Sequence, residues 1–480
     1  MSEPTLMTMT EQLRQLRSGE TSAEALMSRA IRRAEDLGHL NAFLCLEPEK
    51  ALEQARLVDL ARRRGAALPM LAGLPVAVKD NIDIAGWITS GATPALAQLR
   101  ARQTGPVAQR LLDAGAIVLG KTNLHELAFG VTNTNFAPIP MARNPHDPGR
   151  ITGGSSGGTA AAIAAGIVGA GLGTDTSGSI RIPAALCGIA GLRPSVGTRG
   201  AGRRYLTAGV LPISHTNDTV GPMAVSVADL ALLDAVLTRE DPVTPAPLKG
   251  VRLGLPACFW VDIDDEVARL CRAACEHLTQ AGAELIPLSL PGLREAWRQV
   301  SAPVVLNEPR EDIPAWLAAN GRADITLSAI VDRIANPDVR AAFGVVMSES
   351  TAGSYRPAIE THRPELCRIY AAAFREHGLA ALIFPTVPVP APQVQPADAF
   401  GRVSINGRDH AVFETLIRNT DPGANAGLPG LSLPVGFTRD GLPVGLEMDG
   451  HVGSDRDLLR LGMTIEMILS EVGRHGALSR

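Results

Sequence analysis

The sequence predicts an α/β fold, because short apolar segments alternate with amphipathic segments of helical period along much of the chain. Residues 251–288 are typical, since they have the pattern strand–helix–strand. The chain has 480 residues, of which 45% are hydrophobic, so it can bury a sizeable core. Its length alone suggests about three domains. No long linker or block of charge divides it, however.

The first 65 residues are predicted to be mainly helical. The expected elements are helices at 8–17 and 21–37, a strand at 43–46 and a helix at 49–64. The pattern Thr21-x-x-Glu24 is typical of a capping box at the start of the second helix. Gly38 and Gly65 stand where the two longer helices are expected to end, because glycine readily adopts the conformation of a C-terminal cap.

A buried strand is predicted at 74–78, and it presents Lys79 at its end. A helix at 105–114 and a buried strand at 116–119 are expected to follow. A single lysine in such a place is more often the surface ion-pair partner of a neighbouring aspartate. Lys121, just beyond the second strand, is a rival candidate for a basic catalytic group.

Two turns rich in glycine and serine occupy residues 153–183. The first runs from Gly153 to Thr159 and precedes an alanine-rich segment, which predicts a helix N-terminus with unpaired N–H donors. The second begins at Gly173 and is expected to open another helix at Ser179. Serine-bearing turns that meet at helix starts indicate a hydroxyl nucleophile beside an anion-binding cradle.

Glycine–serine turns of this kind also occur as structural turns, in phosphate-binding loops and in α/β-hydrolase elbows. An isolated glycine–serine turn is usually structural. A phosphate-binding loop would need the pattern Gly-x-x-x-x-Gly-Lys-Ser/Thr, which is absent from the turns. An α/β-hydrolase elbow would make Ser156 the nucleophile, but it requires a buried strand immediately before it. The preceding residues 143–150 are polar and interrupted by proline, so the elbow is disfavoured.

Three motifs together resemble those of the amidase signature hydrolases. They are Leu74-Pro75-Val76-Ala77-Val78-Lys79-Asp80, Gly153-Gly154-Ser155-Ser156-Gly157-Gly158 and Gly173-Thr174-Asp175-Thr176-Ser177-Gly178-Ser179-Ile180-Arg181. They occur in the order and at the spacing usual in that family, and the resemblance covers most of residues 10–245 and returns at 425–450. Residues 210–222 most resemble the branch that contains indoleacetamide and mandelamide hydrolases.

The resemblance implies a single α/β domain with a central mixed, twisted β-sheet flanked by helices on both faces. Within it we expect an N-terminal helical segment at 1–65, a catalytic core at 66–245, a variable substrate-shaping region at 250–400 and a return to the core sheet at 401–480. Residues 290–378 are expected to be mostly helical. Strands are expected near 431–437 and 443–448.

The resemblance also implies a Ser-Ser-Lys triad, in which Ser179 is the nucleophile, Ser155 the relay and Lys79 the base. The peptide bond between Gly154 and Ser155 is expected to be cis, as it is in the family. A free lysine has a pKa of about 10.4, so Lys79 can act as a base only if burial lowers its pKa. Lys121 is then expected to be structural.

Backbone N–H groups of the second turn are expected to bind the oxyanion. The expected donors are Thr176, Ser177, Gly178 and Ser179. Substrate contacts are expected from Phe129, Gly130, Gly153 and Gly154. Ser177 stands where many family members have glycine, which weakens the assignment of its N–H. Asp175 and Arg181 are interpreted as a partly buried structural pair.

No metal or cofactor is implied. His125 and Glu126 lack the second histidine of a metal motif, and His215 with Asp218 is expected to brace its loop. The net charge of −4 and the pI of about 6.2 give no reason to expect nucleic acid or a membrane as partner. The first residues lack the features of a signal peptide, and the scattered cysteines indicate reduced thiols in a cytoplasmic protein.

The predicted function is hydrolysis of the C–N bond of small carboxamides, with an aryl or arylalkyl acyl group, through an acyl-enzyme on Ser179. Carbamates (urethanes), anilides and esters stay open as substrates, and a homodimer stays open as the assembly. The alternative is a glutaminase-type subunit of a transfer-RNA amidotransferase complex. Ile182 argues against it, because those subunits usually have glutamine at this position.

Overall fold

Eleven strands form one mixed sheet that draws on almost the whole chain. The computed structural model describes residues 6–348, 350–395 and 401–477, so the first five residues, on which the expectation about a signal peptide rests, lie outside it. The strands are β1 (Phe43–Leu46), β2 (Pro75–Lys79), β3 (Ile117–Thr122), β4 (Ala170–Asp175), β5 (Ala190–Arg193), β6 (Thr219–Ala224), β7 (Arg252–Pro256), β8 (Glu284–Leu288), β9 (Ala381–Pro385), β10 (Arg402–Ile405), β11 (Arg408–Ala411), β12 (Gly430–Phe437) and β13 (Pro443–Asp449). The single α/β domain with a mixed sheet is confirmed.

The order in the large sheet is β1-β3-β2-β4-β6-β5-β12-β13-β9-β7-β8, while β10 and β11 form a separate hairpin. β2 is parallel to its neighbours β3 and β4, and β7 is parallel to β8 and β9. The other pairs in the sheet are antiparallel. Because β2 and β4 are adjacent and parallel, their carboxyl ends lie at the same edge, and this edge carries Lys79 and the second glycine–serine turn.

Helices connect the strands of this sheet, and some of them pack against it while others pack against one another. They are α1 (Met9–Ser18), α2 (Ala23–Asp36), α3 (Pro48–Arg63), α4 (Pro106–Asp113), α5 (Gly157–Ala164), α6 (Arg181–Cys187), α7 (Val227–Thr238), α8 (Asp265–Gln280), α9 (Leu293–Val305), α10 (Pro309–Ala319), α11 (Leu327–Val331), α12 (Pro337–Ser348), α13 (Ala352–Pro357), α14 (Arg363–His377), α15 (Val412–Ile417), α16 (Asp421–Asn425) and α17 (Asp455–Ala477). Within the described residues, every helix is too short or too polar to traverse a lipid bilayer.

Two helix starts differ from the sequence prediction. The cap of α2 is Ser22, whose side chain accepts a hydrogen bond from the Ala25 N–H, so the capping box from Thr21 was wrong by one residue. The helix expected at Ser179 begins two residues later, as α6, because Asp175 holds the N–H groups of Gly178 and Ile180 in a turn before the helix. All six cysteines are free thiols.

The alanine-rich helix α5 lies against the centre of the sheet, where it contacts β2 and β4. Its residues from Gly157 to Ile163 are all buried. Small side chains let the helix and the sheet approach closely, so the start of α5, with the first glycine–serine turn, is brought to the edge where β2 and β4 end.

Candidate active site

Lys79 is fully buried at the end of β2. Its Nζ lies 2.7 Å from Ser155 Oγ and 2.7 Å from Thr174 Oγ1, and the Thr174 carbonyl oxygen is 3.5 Å away. The Asn81 side-chain amide donates to the same Thr174 hydroxyl at 3.1 Å. Lys79 therefore contacts two hydroxyl groups and a carbonyl, and a carboxylate is not among its hydrogen-bond partners in the described part of the chain.

Burial lowers the pKa of Lys79 from its ordinary value to about 7, against the opposing effect of the carboxylates of Asp175 and Asp218. A neutral amine has two N–H donors and one lone pair. The two oxygens of Thr174 accept the donors, so the lone pair is left for Ser155. This arrangement fits a lysine that takes a proton from the Ser155 hydroxyl.

Ser155 is fully buried in the first turn, and the peptide bond between Gly154 and Ser155 is cis, as expected. Its carbonyl oxygen accepts a hydrogen bond from the His125 N–H at 3.1 Å. The Ser156 N–H donates to the Ser179 carbonyl oxygen at 3.0 Å, which ties the two turns together. Among the described residues no hydrogen bond joins the hydroxyls of Ser155 and Ser179, so that link would have to form by rotation of a side chain.

Ser156 has a structural position. Its hydroxyl donates to the Thr174 carbonyl oxygen at 3.1 Å and accepts from the Thr174 N–H at 3.3 Å. The side chain is fully buried and both hydrogen-bonding functions are used within the fold. The elbow interpretation, which would make Ser156 the nucleophile, therefore has no support in the geometry.

Asp175 organises the second turn. Its carboxylate accepts the N–H of Gly178 at 2.8 Å and that of Ile180 at 3.2 Å, and it pairs with Arg181 and Arg193, each at 3.1 Å. Burial alone would raise the pKa of Asp175, but the two guanidinium groups hold it well below its usual range. The pair with Arg181 is fully rather than partly buried.

This geometry corrects one of the predicted oxyanion donors. The Gly178 N–H donates to the Asp175 carboxylate, whereas the N–H groups of Thr176, Ser177 and Ser179 have no hydrogen-bond partner in the described structure. The positive φ of the turn, 137°, falls on Gly178 and not on Ser177. The side chain at Ser177 therefore does not strain the backbone.

Side chains from two other loops fix this turn. The Thr176 hydroxyl donates to Asp218 at 2.7 Å, and the Thr420 hydroxyl donates to the Ser177 carbonyl oxygen at 2.7 Å. Asp421, at the start of α16, accepts hydrogen bonds from the Trp297 and Ser301 side chains of α9. The turn is thus held in place before any substrate arrives, as an oxyanion-binding turn requires.

A cavity of about 550 Å³ opens beside the second turn. Its lining is mainly apolar and includes Ser177 from the turn, Phe129, residues of α9 and α12, and the segment around α15. Of the four predicted substrate contacts, Phe129 lines this cavity. Gly130, Gly153 and Gly154 are not among its described lining residues, and Gly130 packs directly against the His125 ring. A larger groove of about 740 Å³, between α8 and the β10–β11 hairpin, contains none of the predicted site residues.

Other candidate residues of the sequence have structural partners. Lys121 pairs with Asp80 at 3.2 Å and is fully buried. His215 was expected to brace its loop together with Asp218, but it pairs with Asp312 at 3.0 Å. Within the described residues, one group of side chains has the types and spacing of metal ligands, and it consists of His215, Asp312 and Glu308. The Glu308 oxygens, however, already accept hydrogen bonds from neighbouring hydroxyls.

Sequence reasoning missed two groups of residues in this region. Thr174 contacts the buried lysine directly, and Asn81 is linked to it through a hydrogen bond to the Thr174 hydroxyl. Neither role was predicted, although Thr174 lies inside one of the three motifs. Asp338 lines the cavity and contacts His125 at 3.1 Å. The positions of His125 and Asp338 in the chain give no signal of this contact.

Comparison with known proteins agrees with this geometry. A family model described as Amidase matches residues 25–459. Mandelamide hydrolase of Pseudomonas putida is 37% identical over 479 residues, covering 96% of this chain and 91% of that protein. Indoleacetamide hydrolase of Agrobacterium vitis is 37% identical over 462 residues, covering 95% and 96%. A solved structure described as an amidase superimposes with a TM-score of 0.83 at 32% identity, covering 96% of this chain and 99% of that one.

Proposed function

Because the chain belongs to the amidase family and is an amide hydrolase, we propose that it cleaves small aryl- or arylalkyl-carboxamides through an acyl-enzyme on Ser179. The observation that carries this proposal is the buried Lys79, whose Nζ lies 2.7 Å from Ser155 Oγ. An amine that is half neutral near pH 7 can act as a general base. Its neighbour is the Ser155 hydroxyl, and the turn that carries Ser155 is hydrogen-bonded to Ser179.

Acylation begins when neutral Lys79 accepts the proton of the Ser155 hydroxyl. Ser155 accepts the proton of the Ser179 hydroxyl in the same step, and Ser179 Oγ forms a bond with the carbonyl carbon of the amide. Binding of substrate has to turn the two hydroxyls toward each other, as catalytic hydrogen bonds often tighten only in the complex.

The tetrahedral intermediate carries its negative charge on the former carbonyl oxygen. The free N–H groups of Thr176, Ser177 and Ser179 are the donors available to it, and one such donor is typically worth about 3–4 kcal/mol. The proton on Lys79 returns through Ser155 to the amide nitrogen, the C–N bond breaks, and ammonia leaves with the acyl group attached to Ser179 Oγ.

Deacylation uses the same groups in the opposite sense. A water molecule gives a proton through Ser155 to Lys79 and forms a bond with the acyl carbon. The ester bond to Ser179 Oγ then breaks, Ser179 recovers its proton, and a carboxylic acid leaves. Lys79, Ser155 and Ser179 thus relay every proton, and the water molecule replaces the one that leaves with ammonia.

The acyl group of a primary amide would fill the cavity, because the NH2 group that leaves as ammonia is too small to occupy it. The cavity of about 550 Å³ has a mainly apolar lining, which suits an aromatic acyl group. The relatives named for mandelamide and indoleacetamide also act on carboxamides with aromatic groups. Carbamates, anilides and esters belong to the proposal as further substrates, since the same relay can protonate their leaving nitrogen or oxygen.

The proposal is tested with a panel of primary amides, anilides and esters of arylacetic acids, together with carbamates that carry an aryl or benzyl group. Wild type and Ser179→Ala are compared on each compound, with circular dichroism as a check of folding. We expect wild type to release ammonia from arylacetamides and the folded variant to be inert. Equal activity of both proteins would overturn the assignment of Ser179. No turnover by the wild-type chain alone would instead favour the glutaminase-type subunit.

A further inference from the structure

Phe413 is a large apolar side chain that lines the cavity without being buried by the fold. It is the second residue of α15, and it is 46% exposed. Its neighbours Val412, Leu416 and Ile417 are buried and attach α15 to the hydrophobic core. Because the Phe413 ring both lines the cavity and reaches solvent, it lies where the cavity opens. The fold leaves this ring available for contact with a molecule in the cavity.

The other phenylalanine of the described lining already has an aromatic partner. The Phe129 ring meets the Phe343 ring edge-on, with centroids 5.2 Å apart and planes at 60°. Among the described residues no aromatic ring packs in this way against Phe413. Aromatic rings attract one another beyond the area that they bury, so an unpaired ring at the opening of a cavity favours an aromatic ligand.

The segment that carries Phe413 is hydrogen-bonded to the oxyanion turn. The Ile417 carbonyl oxygen, at the end of α15, accepts the Thr420 N–H at 3.0 Å, and the Thr420 hydroxyl donates to the Ser177 carbonyl oxygen at 2.7 Å. Ser177 lines the same cavity and stands two residues before Ser179. The fold thus sets the position of α15 relative to the turn where the carbonyl group would react.

We propose that Phe413 is a specificity-determining residue, whose ring packs against an aromatic ring of the acyl group and selects arylalkyl over saturated acyl groups of the same size. This inference rests on the proposed function, because it assigns the acyl group to the cavity. It adds the side chain that distinguishes an aromatic from an aliphatic acyl group. Burial of apolar area alone does not make that distinction, because it is non-directional and a cyclohexyl ring is at least as apolar as a phenyl ring.

The test uses matched substrates that differ in the saturation of one ring. Benzamide, phenylacetamide and 3-phenylpropionamide place the ring at three distances from the carbonyl carbon, and each is paired with its cyclohexyl compound. Propionamide, which has no ring, is the reference. The proteins are wild type, Phe413→Leu, Phe413→Tyr and Phe437→Leu, the last as a control at another exposed phenylalanine, outside the described lining of the cavity. The quantity compared between proteins is the ratio of kcat/KM for the phenyl compound to that for its cyclohexyl partner.

We expect Phe413→Leu to lower this ratio for at least one pair by about three- to tenfold, chiefly through KM of the phenyl compound, because the aromatic pair is lost while an apolar side chain stays. Phe413→Tyr keeps the ring and should keep the wild-type ratio, as should Phe437→Leu. Ratios unchanged in Phe413→Leu for every pair, which includes an equal loss on both partners, would overturn the inference. The same fall in Phe437→Leu would overturn it too.

Propionamide separates a failure of this inference from a failure of the proposed function. Wild type that hydrolyses none of these amides, propionamide included, would count against the proposed function. Hydrolysis with the same ratios in wild type and Phe413→Leu would count against the role of Phe413 alone. Because the ring is nearly half exposed, Phe413→Leu should keep the wild-type thermal midpoint, and Phe413→Ile gives the same comparison if it does not.

Discussion

The ionisation of one residue sets the conditions for the proposed reaction. Lys79 has to be neutral to accept a proton, and burial among hydroxyl and carbonyl groups lowers its pKa to about 7. Relative to a free lysine this shift corresponds to about 5 kcal/mol of preference for the neutral form. The buried site therefore supplies a base that an exposed lysine would not supply near neutral pH.

The first prediction is a pH profile governed by Lys79. For a neutral substrate such as phenylacetamide, kcat/KM should rise with pH through about 7 and level off above it, because the lysine is the base only after it has lost its proton. Initial rates between about pH 5 and pH 9 measure this.

Asp218 offers the control for that profile. Burial raises its pKa to about 6, so it could produce a similar rise in rate. Asp218→Asn should keep a rise with pH, moved somewhat below pH 7, because the Asp218 carboxylate no longer opposes the lowering of the Lys79 pKa, while Thr176 still has an acceptor at that position. A profile that becomes flat in Asp218→Asn would assign the titration to Asp218 and contradict the assignment to Lys79.

The second prediction separates two adjacent serines. Ser156→Ala removes hydrogen bonds to the main chain of Thr174 and should cost about 1–3 kcal/mol of unfolding free energy while activity persists. Ser155→Ala should keep more of the stability but lose most of the activity, because the path from Lys79 to Ser179 is broken. Thermal midpoints and kcat/KM distinguish them, and the reversed pattern would restore the elbow interpretation.

The sequence predicts residues of this site only where they belong to a motif. Lys79 and Ser155 lie far apart in the chain, yet each belongs to a motif, and their side chains meet at 2.7 Å. Asp338 belongs to none, and its contact with His125 depends on how α12 packs across the cavity. Gly178 shows a different limit, since a pattern of residue types could not reveal that Asp175 already binds its N–H.

At the scale of elements, the start of α12 is anchored by the loop that follows β3. Glu126 accepts the N–H groups of Ala335 at 3.0 Å and Asn336 at 2.7 Å, and His125 contacts Asp338 one turn further on. Two adjacent residues of the core thereby fix the helix that forms one wall of the cavity. The predicted substrate-shaping role of residues 250–400 stays a prediction, but this wall comes from that region.

The third prediction concerns this anchor. Glu126→Ala leaves the buried N–H of Asn336 and the partly buried N–H of Ala335 without an acceptor, which should cost about 1–3 kcal/mol of unfolding free energy. KM for phenylacetamide should rise more than kcat falls, because α12 moves relative to the cavity and the triad does not. Glu360→Ala, which removes an exposed ion pair with Arg356, should change both by little. A selective fall in kcat would contradict the assignment.

The elements that the sequence predicted well have amphipathic patterns and clear ends. α2, α3 and α8 are examples, since their buried positions recur with helical spacing. The strands β4, β5 and β6 were not predicted. Every residue of these strands is buried, so the alternation that reveals a half-exposed strand is absent, and several positions are glycine. The β10–β11 hairpin was also missed, although Asn406-Gly407 is a common hairpin turn.

At the scale of the whole molecule, a buried cluster of charges joins early and late parts of the chain. It contains Asp175, Arg181 and Arg193 from the second turn and β5, and Glu447 and Asp449 from β13. Gly430 of β12 packs against the Arg181, Glu447 and Asp449 side chains, where a Cβ would lie within 3 Å of all three. The cluster holds β13 beside the turn that carries the proposed nucleophile.

The charges of this cluster balance only if one carboxyl is protonated. Two guanidinium groups face three carboxyls, and burial together with the nearby Glu447 raises the pKa of Asp449 well above its usual range. Arg181 Nη1 donates to Glu447 at 2.8 Å but lies 3.8 Å from Asp449. We therefore assign the proton to Asp449 and the charge to Glu447.

The fourth prediction follows from that assignment. A carboxyl whose pKa is raised by folding contributes stability that is complete below its unfolded pKa, about 3.9, and is lost as the pH rises through the folded value. Asparagine imitates the protonated form at every pH. Asp449→Asn should therefore raise the free energy of unfolding at about pH 8 by more than the roughly 1.4 kcal/mol that one unit of pKa represents, and with it the thermal midpoint. The gain should shrink toward about pH 4.

Glu447→Gln is the matched control for Asp449→Asn, because it neutralises the other carboxyl of β13. It should lower the midpoint at both pH values, at a cost of about 3–5 kcal/mol, since it leaves Arg181 buried with one anionic partner fewer. Differential scanning calorimetry of both variants gives the comparison. If Glu447→Gln stabilised the protein and Asp449→Asn destabilised it, the proton would belong to Glu447, and Asp449 would be the anion that holds β13 against Arg181.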